Sequence, residues 1–280
     1  MTPIITSFDH VLIGVQDLEA ARQNWEKLGF AACPRGRHIG WGTANYCLMF
    51  PENYIELIGI VDPSQFTNNL DKFLEERDEG LLGLAYRSED VEGDVALLRQ
   101  RGLTVEGPKD LARIIEHPEG ELRPRFRLMH FDPASRPGLL AFACQHLTPE
   151  MVWQRPWLEH PNGARSIRRV TAVVEELEPW AEVGRAWFGE AQVFRGTASI
   201  NMRAGNFELE LLHPEFAQTR FKGAAPPNLY GPLGFTVEVE DLAACQRLLE
   251  AAGVSTMEQT TALVVPPSEA NGVILEFVSA

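Results

Sequence analysis

The sequence predicts an α+β protein: four βαβββ modules, paired into two cupped half-barrel sheets with their helices outside. Three observations carry this prediction. An alternating strand, an acidic helix start, an amphipathic helix and a glycine recur four times along the chain. Each recurrence closes on an apolar strand: NYIELIGI, LLAFACQH, NFELELLH and GVILEFVS. A single helix covers only one face of such a unit, so two units bury the other face by closing around a shared concave space.

The first module displays the pattern most fully. FDHVLIGV, from Phe8, alternates as a strand, and Asp17 is placed to cap a helix that Gly29 ends. Leu18, Ala21, Trp25 and Leu28 recur at helical spacing and form its apolar face. Strand-like runs follow in RHIGWGTAN, YCLMF and NYIELIGIV. The second module starts at Leu81, the third at Ile167 and the fourth at Leu233. Aligned on their helix starts, the four first strands place His10, Gly83, Arg169 and Gly234 at one position. Modules one and two make an expected N-terminal domain over 1–147, and modules three and four a C-terminal domain over 166–280. The Pro- and Trp-rich stretch 148–165 reads as a connector. Its Trp153, Trp157 and His160 read as a staple between the domains, with a cover over a pocket mouth as the alternative. The stretch from His213 to Pro232 reads as a long excursion between modules three and four.

Charge and composition exclude several classes. The formal net charge is −14, which argues against non-specific phosphate binding and hence a nucleic-acid partner. The start MTPIITSFDH lacks the pattern of a secretion signal, and the apolar runs are too short to span a bilayer. Cys33, Cys47, Cys144 and Cys245 are widely spaced with no CxxC pair, as expected of reduced thiols in a cytoplasmic protein. There is no GxSxG, P-loop or GxGxxG, so no covalent serine chemistry and no nucleotide cofactor are expected.

Strand alternation selects the candidate site. In the first strand Phe8, His10 and Leu12 share one face, and Val11, Ile13 and Val15 the other. The all-apolar set should meet the helix, leaving His10 to face the cup. Tyr54, Glu56 and Ile58 share a face of the closing strand, and Phe126, Leu128 and His130 a face of a later one. A carboxylate in an apolar strand needs a partner, so His10 and Glu56 are expected to face each other. Arg123, Arg125 and Arg127 alternate with Arg37 and Arg113 nearby, either as a solvated face or for capture of a carboxylate or phosphate.

DHVLIGVQDLEAA, the RHIGWGTANYCLMF strand pair, YIELIGIVDP and the TPEMVW…HPNGAR connector make the chain similar to the vicinal oxygen chelate superfamily, the glyoxalase and extradiol dioxygenase group. From Phe8 to Ala164 it resembles, more narrowly, the bacterial glyoxalase-like domain proteins. The resemblance implies a divalent metal in the cup that binds two adjacent substrate oxygens. It implies ligands early in the first strand and in the final strand of each module. Carried onto this chain, these positions are His10, Glu56, Gly83 and Ala141 (or its neighbour Phe142). Only His10 and Glu56 can ligate, and they suit Zn, Fe, Mn, Co or Ni. The C-terminal positions are Arg169, Glu208 or Glu210, Gly234 and Glu276. A guanidinium cannot ligate an ion, so Arg169 is expected to neutralise Glu276 or one of the paired glutamates in a degenerate copy.

The reading that follows is a glyoxalase-type lyase or isomerase acting on a small molecule with vicinal oxygens, such as a 2-oxo or 2-hydroxy acid or its thiol adduct. Glu56, His130 and His38 are the catalytic candidates: either an ion on His10 and Glu56 polarises the two oxygens and stabilises an enediolate, or Glu56 is instead the proton-transfer base with His130 or His38 assisting. Trp41, Asn45, Tyr54 and Arg125 are the substrate-binding candidates, and His10 and Glu56 the metal ligands. The alternative is a metal-free binding or sequestering protein that uses the same cup. A homodimer is compatible with either.

Overall fold

The computed structural model describes residues 3–136, 140–225 and 230–280. Leu139, at the head of the expected second closing strand, and residues 226–229 of the expected excursion lie outside the described residues. All four modules form in the predicted order. The first is β1 (Phe8–Gly14), α1 (Leu18–Lys27), β2 (Gly36–His38), β3 (Thr43–Met49) and β4 (Tyr54–Ile60). An unpredicted helix, α2 (Leu70–Arg77), precedes the second: β5 (Gly80–Arg87), α3 (Val91–Gln100), β6 (Val105–Ile115), β7 (Arg125–Phe131) and β8 (Leu140–His146). The third comprises β9 (Ala164–Val173), α4 (Glu178–Phe188), β10 (Val193–Arg195), β11 (Ser199–Ala204) and β12 (Phe207–Leu212). Helix α5 (Pro214–Arg220) leads to the fourth: β13 (Gly231–Val239), α6 (Leu242–Ala251), β14 (Met257–Glu258), β15 (Leu263–Val265) and β16 (Ile274–Ser279).

Local chemistry sets the helix ends. Asp17 accepts the amide hydrogens of Glu19 and Ala20, satisfying two of the free donors at the start of α1. Gly29 follows the helix at φ +83°, a conformation that costs a side-chain-bearing residue energy. Asp90 and Asp241 cap α3 and α6 in the same way.

The two halves then diverge. Strands of modules one and two close into a barrel, in the order β1-β4-β3-β2-β6-β7-β8-β5, because β2 pairs with β6. Modules three and four form an open eight-stranded sheet with β10 and β14 at its edges. The module helices lie outside the cups, but α1 and α4 are not left to solvent. Trp25 of α1 stacks toward Phe235 of β13, and Trp187 of α4 stacks on Phe131 of β7 with ring centroids 4.0 Å apart. One apolar core thus runs through both halves. Asn53 ties them further, donating to Ser166 and accepting from the Ile167 amide.

Candidate active site

A bulge in β1 between Phe8 and His10 breaks the strand's alternation. Phe8 therefore leaves the face it was expected to share with His10 and Leu12. It stacks on Phe207 of the other half, ring centroids 4.0 Å apart, where burial between the sheets rewards an aromatic ring. The bulge also brings Asp9, which has no exposed surface, beside His10. Asp9 Oδ1 lies 2.6 Å from His10 Nδ1 and 3.0 Å from His146 Nε2, and Arg87 Nε donates to Oδ2 at 3.1 Å. Burial pushes the Asp9 carboxyl up, but the charges and hydrogen bonds of His146 and His10 overcome this and hold it far below the usual range. Asp9 is thus ionised, and His10 Nδ1 must be the donor between them.

That assignment turns His10 Nε2 into the cup, 3.4 Å from Glu56 Oε2. Glu56 is 5% exposed, and its Oε1 accepts from Asn45 Nδ2 at 2.5 Å. His38 approaches from the other side: its Nδ1 is 2.8 Å from Thr43 Oγ1, and its Nε2 is 3.8 Å from Glu56 Oε1. Burial alone would raise the Glu56 pKa, but His10, His38, Arg113 and the Asn45 hydrogen bond together lower it. Burial keeps His38 below its usual pKa and so favours the neutral ring at neutral pH. The cup therefore holds an ionised carboxylate with two imidazole Nε2 atoms turned toward it.

These donors can be tested against the divalent ion that the fold implies. His10 Nε2 and Glu56 Oε2 are two acceptors in opposition unless a second proton on the ring or a cation lies between them. Their separation suits an ion, since donors around a tetrahedral centre with bonds of about 2.1 Å sit roughly 3.4 Å apart. The Asp9 contact to Nδ1 is the outer support that metal-bound histidines commonly have. His10 and Glu56 thus fit, while His38 reaches the same carboxylate without closing a set of three. Among the described residues, the three-donor cluster whose atoms all lie within 4.8 Å is instead Asp9, Cys144 and His146. It does not suit an ion: the Arg87 guanidinium already occupies the cation's place on Asp9. Burial also pushes the Cys144 thiol well up, so it keeps its proton.

At the two positions expected to ligate, the second module supplies no donor. Phe142, not Ala141, faces the cup, its ring 5.6 Å from that of His10, while Ala141 turns to the outer core. A Cβ on Gly83 would stand 2.2 Å from the Leu140 carbonyl oxygen, and one on Gly234 would stand 2.1 Å from that of Ile274. Both glycines permit close approach to the closing strand, so any ligating side chain at these positions would collide with backbone.

The other predicted residues divide. His130 lines the cavity and stacks on Phe142 at 5.5 Å; its buried Nδ1 has no partner among the described residues. Tyr54 stacks on His10 at 4.3 Å. Trp41 lines the cavity and packs edge-on against Phe66. Arg125 is exposed on the outer face, because Phe126 and Leu128 take the inner one, so the binding role expected of it has no support. Arg127 likewise turns outward to Asp110 and Glu92. Trp153 donates to the Phe50 carbonyl, and His160 bridges the Ala31 amide and the Met49 carbonyl. These bonds of Trp153 and His160 all run to the N-terminal half, so they neither staple the two halves nor reach the residues that line the cavity. Thr67, Asn68 and Leu70 do line the cavity.

Sequence reasoning missed Asp9, whose neighbourhood to His10 was visible but whose bulge was not. It placed Arg113 only near a surface arginine group. Alternation of Leu111, Arg113 and Ile115 could have found it: Arg113 is 4% exposed, pairs in register with His38, and lines the cavity.

In the C-terminal cup Arg169 pairs with Glu208 at 3.1 Å, one of the glutamates it was expected to neutralise. Glu276 and Glu210 instead share Arg220 of α5, and Thr236 and Thr171 donate to them. Ala217, Phe221 and Ala224 fill the rest of the concavity.

Paired βαβββ modules around a cup lined by histidine and glutamate define a protein of the vicinal oxygen chelate class. Residues 8–188 match the glyoxalase-like domain, and the chain belongs to that family. No curated protein matches it. Among solved structures it is similar to a hypothetical protein from Staphylococcus aureus, with 14% identity, TM-score 0.69, and 98% of this chain and 99% of the other covered. A 4-hydroxymandelate synthase mutant from Streptomyces coelicolor is 11% identical with TM-score 0.58, covering 98% and 92%. A xylose isomerase-like TIM barrel/4-hydroxyphenylpyruvate dioxygenase fusion protein is 15% identical with TM-score 0.60, covering 99% of this chain and 50% of the fusion. At these identities the likeness is one of fold.

Proposed function

We propose that the N-terminal cup is the active site of a glyoxalase-type lyase or isomerase, which moves a proton at a carbon beside one of two adjacent substrate oxygens. The observation that carries this reading is the buried, ionised Glu56 with His10 Nε2 at 3.4 Å and His38 Nε2 at 3.8 Å. Glu56 is charged and so free to accept a proton from carbon; its neighbours lower its basicity, and exclusion of water on substrate binding raises it. Asp9 fixes which nitrogen of His10 faces the substrate, and Thr43 contacts the remaining nitrogen of His38. His130, with a free ring nitrogen in the cavity wall, is placed to assist at the second oxygen. A divalent ion held by His10 and Glu56 would supply polarisation of the two substrate oxygens.

The space suits a small reacting head with a larger body. The inner chamber offers about 70 Å³ and shares the wall residues Trp41, Leu82, Leu128 and His130 with an outer one of about 540 Å³. Metal analysis of the purified protein, with titration of Zn, Mn, Fe, Co and Ni, tests the ion. One equivalent is expected, and His10→Ala is expected to weaken binding by at least about tenfold. Absence of any stoichiometric metal, together with no binding in titration, removes the metal-dependent form of the proposal. Chemistry is tested by incubating 2-oxo and 2-hydroxy acids with the protein in D2O and following C–H exchange by NMR. Exchange lost in Glu56→Gln supports the assignment. A compound that binds but emerges unchanged, with no deuterium, favours the sequestering protein instead.

A further inference from the structure

Among the described residues, Arg113 is a buried cation with no salt-bridge partner; the charge of Glu56 reaches it only across the cavity. Arg113 projects from β6 into the cavity that holds His10, Glu56 and His38, and it is 4% exposed. Among the described residues, no carboxylate oxygen lies within the 4.0 Å of an ion pair with its guanidinium. Its one hydrogen bond is from Nη1 to the Cys47 sulfur at 3.1 Å, a weak acceptor, and its Nε has no partner. The guanidinium lies over the ring of Phe126 at 5.4 Å, which orients its plane without satisfying its donors.

Other arginines of the chain show how unusual this is. Arg220 holds two carboxylates, Arg87 holds Asp9, and Arg168 and Arg169 each hold a glutamate. A protein of net charge −14 has acidic groups to spare, yet the one carboxylate among the described residues lining this cavity, Glu56, stands beyond salt-bridge distance. An unsatisfied buried guanidinium costs stability, so its presence in the cavity is explained by a ligand that completes it. Its donor fork matches two oxygens of a carboxylate, and the aromatic ring beneath it favours a planar group.

We propose that Arg113 is the substrate's carboxylate anchor, so that the molecule taken by this cup is a small carboxylic acid whose acid group docks on the guanidinium while its neighbouring oxygenated carbon faces Glu56 and His10. This rests on the reading of the N-terminal cup as the ligand site and narrows its substrate class. Glu56 and Arg113 are the only carboxylate and the only guanidinium among the described residues lining that inner cavity.

The test compares pyruvate with its neutral isostere pyruvamide, titrated by saturation-transfer NMR with EDTA present so that no metal contributes. Wild-type protein is expected to bind the acid about 10- to 100-fold more tightly than the amide. Arg113→Met is expected to abolish that preference. Arg113→Lys, which keeps charge but not the fork, is expected to retain part of it. Equal affinity for acid and amide in the wild type, no saturable acid binding at all, or a preference that survives in Arg113→Met would each overturn the proposal. If Arg113→Met does not fold, the wild-type comparison and Arg113→Lys still decide. The D2O exchange assay reads the proposed function separately: acid preference without exchange leaves the Arg113 assignment standing and removes the enzyme reading. Exchange without acid preference does the reverse.

Discussion

The two cups are built from the same module and have opposite contents. In each, closing strands carry carboxylates on the inner face: Glu56 in one, Glu210 and Glu276 in the other. In the C-terminal cup Arg220 enters from α5 and neutralises both glutamates, while Phe221 and Ala217 fill the remaining space. In the N-terminal cup the corresponding insert, α2, packs Leu70 and Leu74 against Ile58 and leaves the interior open. There the carboxylate meets two imidazoles and the arginine meets no carboxylate. The same charge types serve structure where they touch, and leave a ligand site where they are held apart.

Substitutions should separate the two roles. The largest effect is expected from Arg220→Met, which strands two buried carboxylates and should cost about 3 to 5 kcal/mol in urea unfolding. An unchanged midpoint would mean that water reaches Glu210 and Glu276 freely. Asp9→Asn comes next, at about 2 to 3 kcal/mol, since it weakens charged hydrogen bonds to His10 and His146 and the pair with Arg87. Arg113→Met should break the symmetry of the comparison: it loses no salt bridge, only the longer-range charge that helps to lower the Glu56 pKa, so a loss well below that of Arg220→Met is expected. A loss as large as that of Arg220→Met would show a structural role for Arg113. The smallest effect is a change of slope with pH. Burial would raise the Glu208 pKa, but hydrogen bonds from Asn201 and Arg203 and the Arg169 charge lower it below its ordinary 4.5. Its contribution is thus present above pH 4.5 and lost as pH falls through the lower folded value. Glu208→Gln should flatten that acid limb, and an unaltered limb would assign acid sensitivity elsewhere.

Much of the architecture was legible because its causes are local. Asp17, Asp90 and Asp241 cap their helices through neighbours two or three residues away, and Gly29 ends α1 through its own φ. Period-two alternation correctly turned Glu56, Tyr54 and His130 inward. The same rule failed at Phe8, where a bulge answered to Phe207, about 200 positions distant in the chain. It also left Ala141 and Phe142 undecided until packing against His10 resolved them. Helices α2 and α5 were missed, although each sits at the same point in its half.

By itself the amino-acid order determined four modules, their pairing, and a histidine and glutamate directed at one cup. Those properties follow from capping, turn conformation and side-chain period, which act within a few residues. Tertiary structure alone decided that β2 would reach β6 and close one sheet, and that α5 would fill the other. It also decided that Asp9 would orient His10 and that, among the described residues, Arg113 would share a cavity with Glu56 without a salt bridge. These depend on which distant groups share a desolvated space, where a charge is either matched by its neighbours or left for a ligand to match.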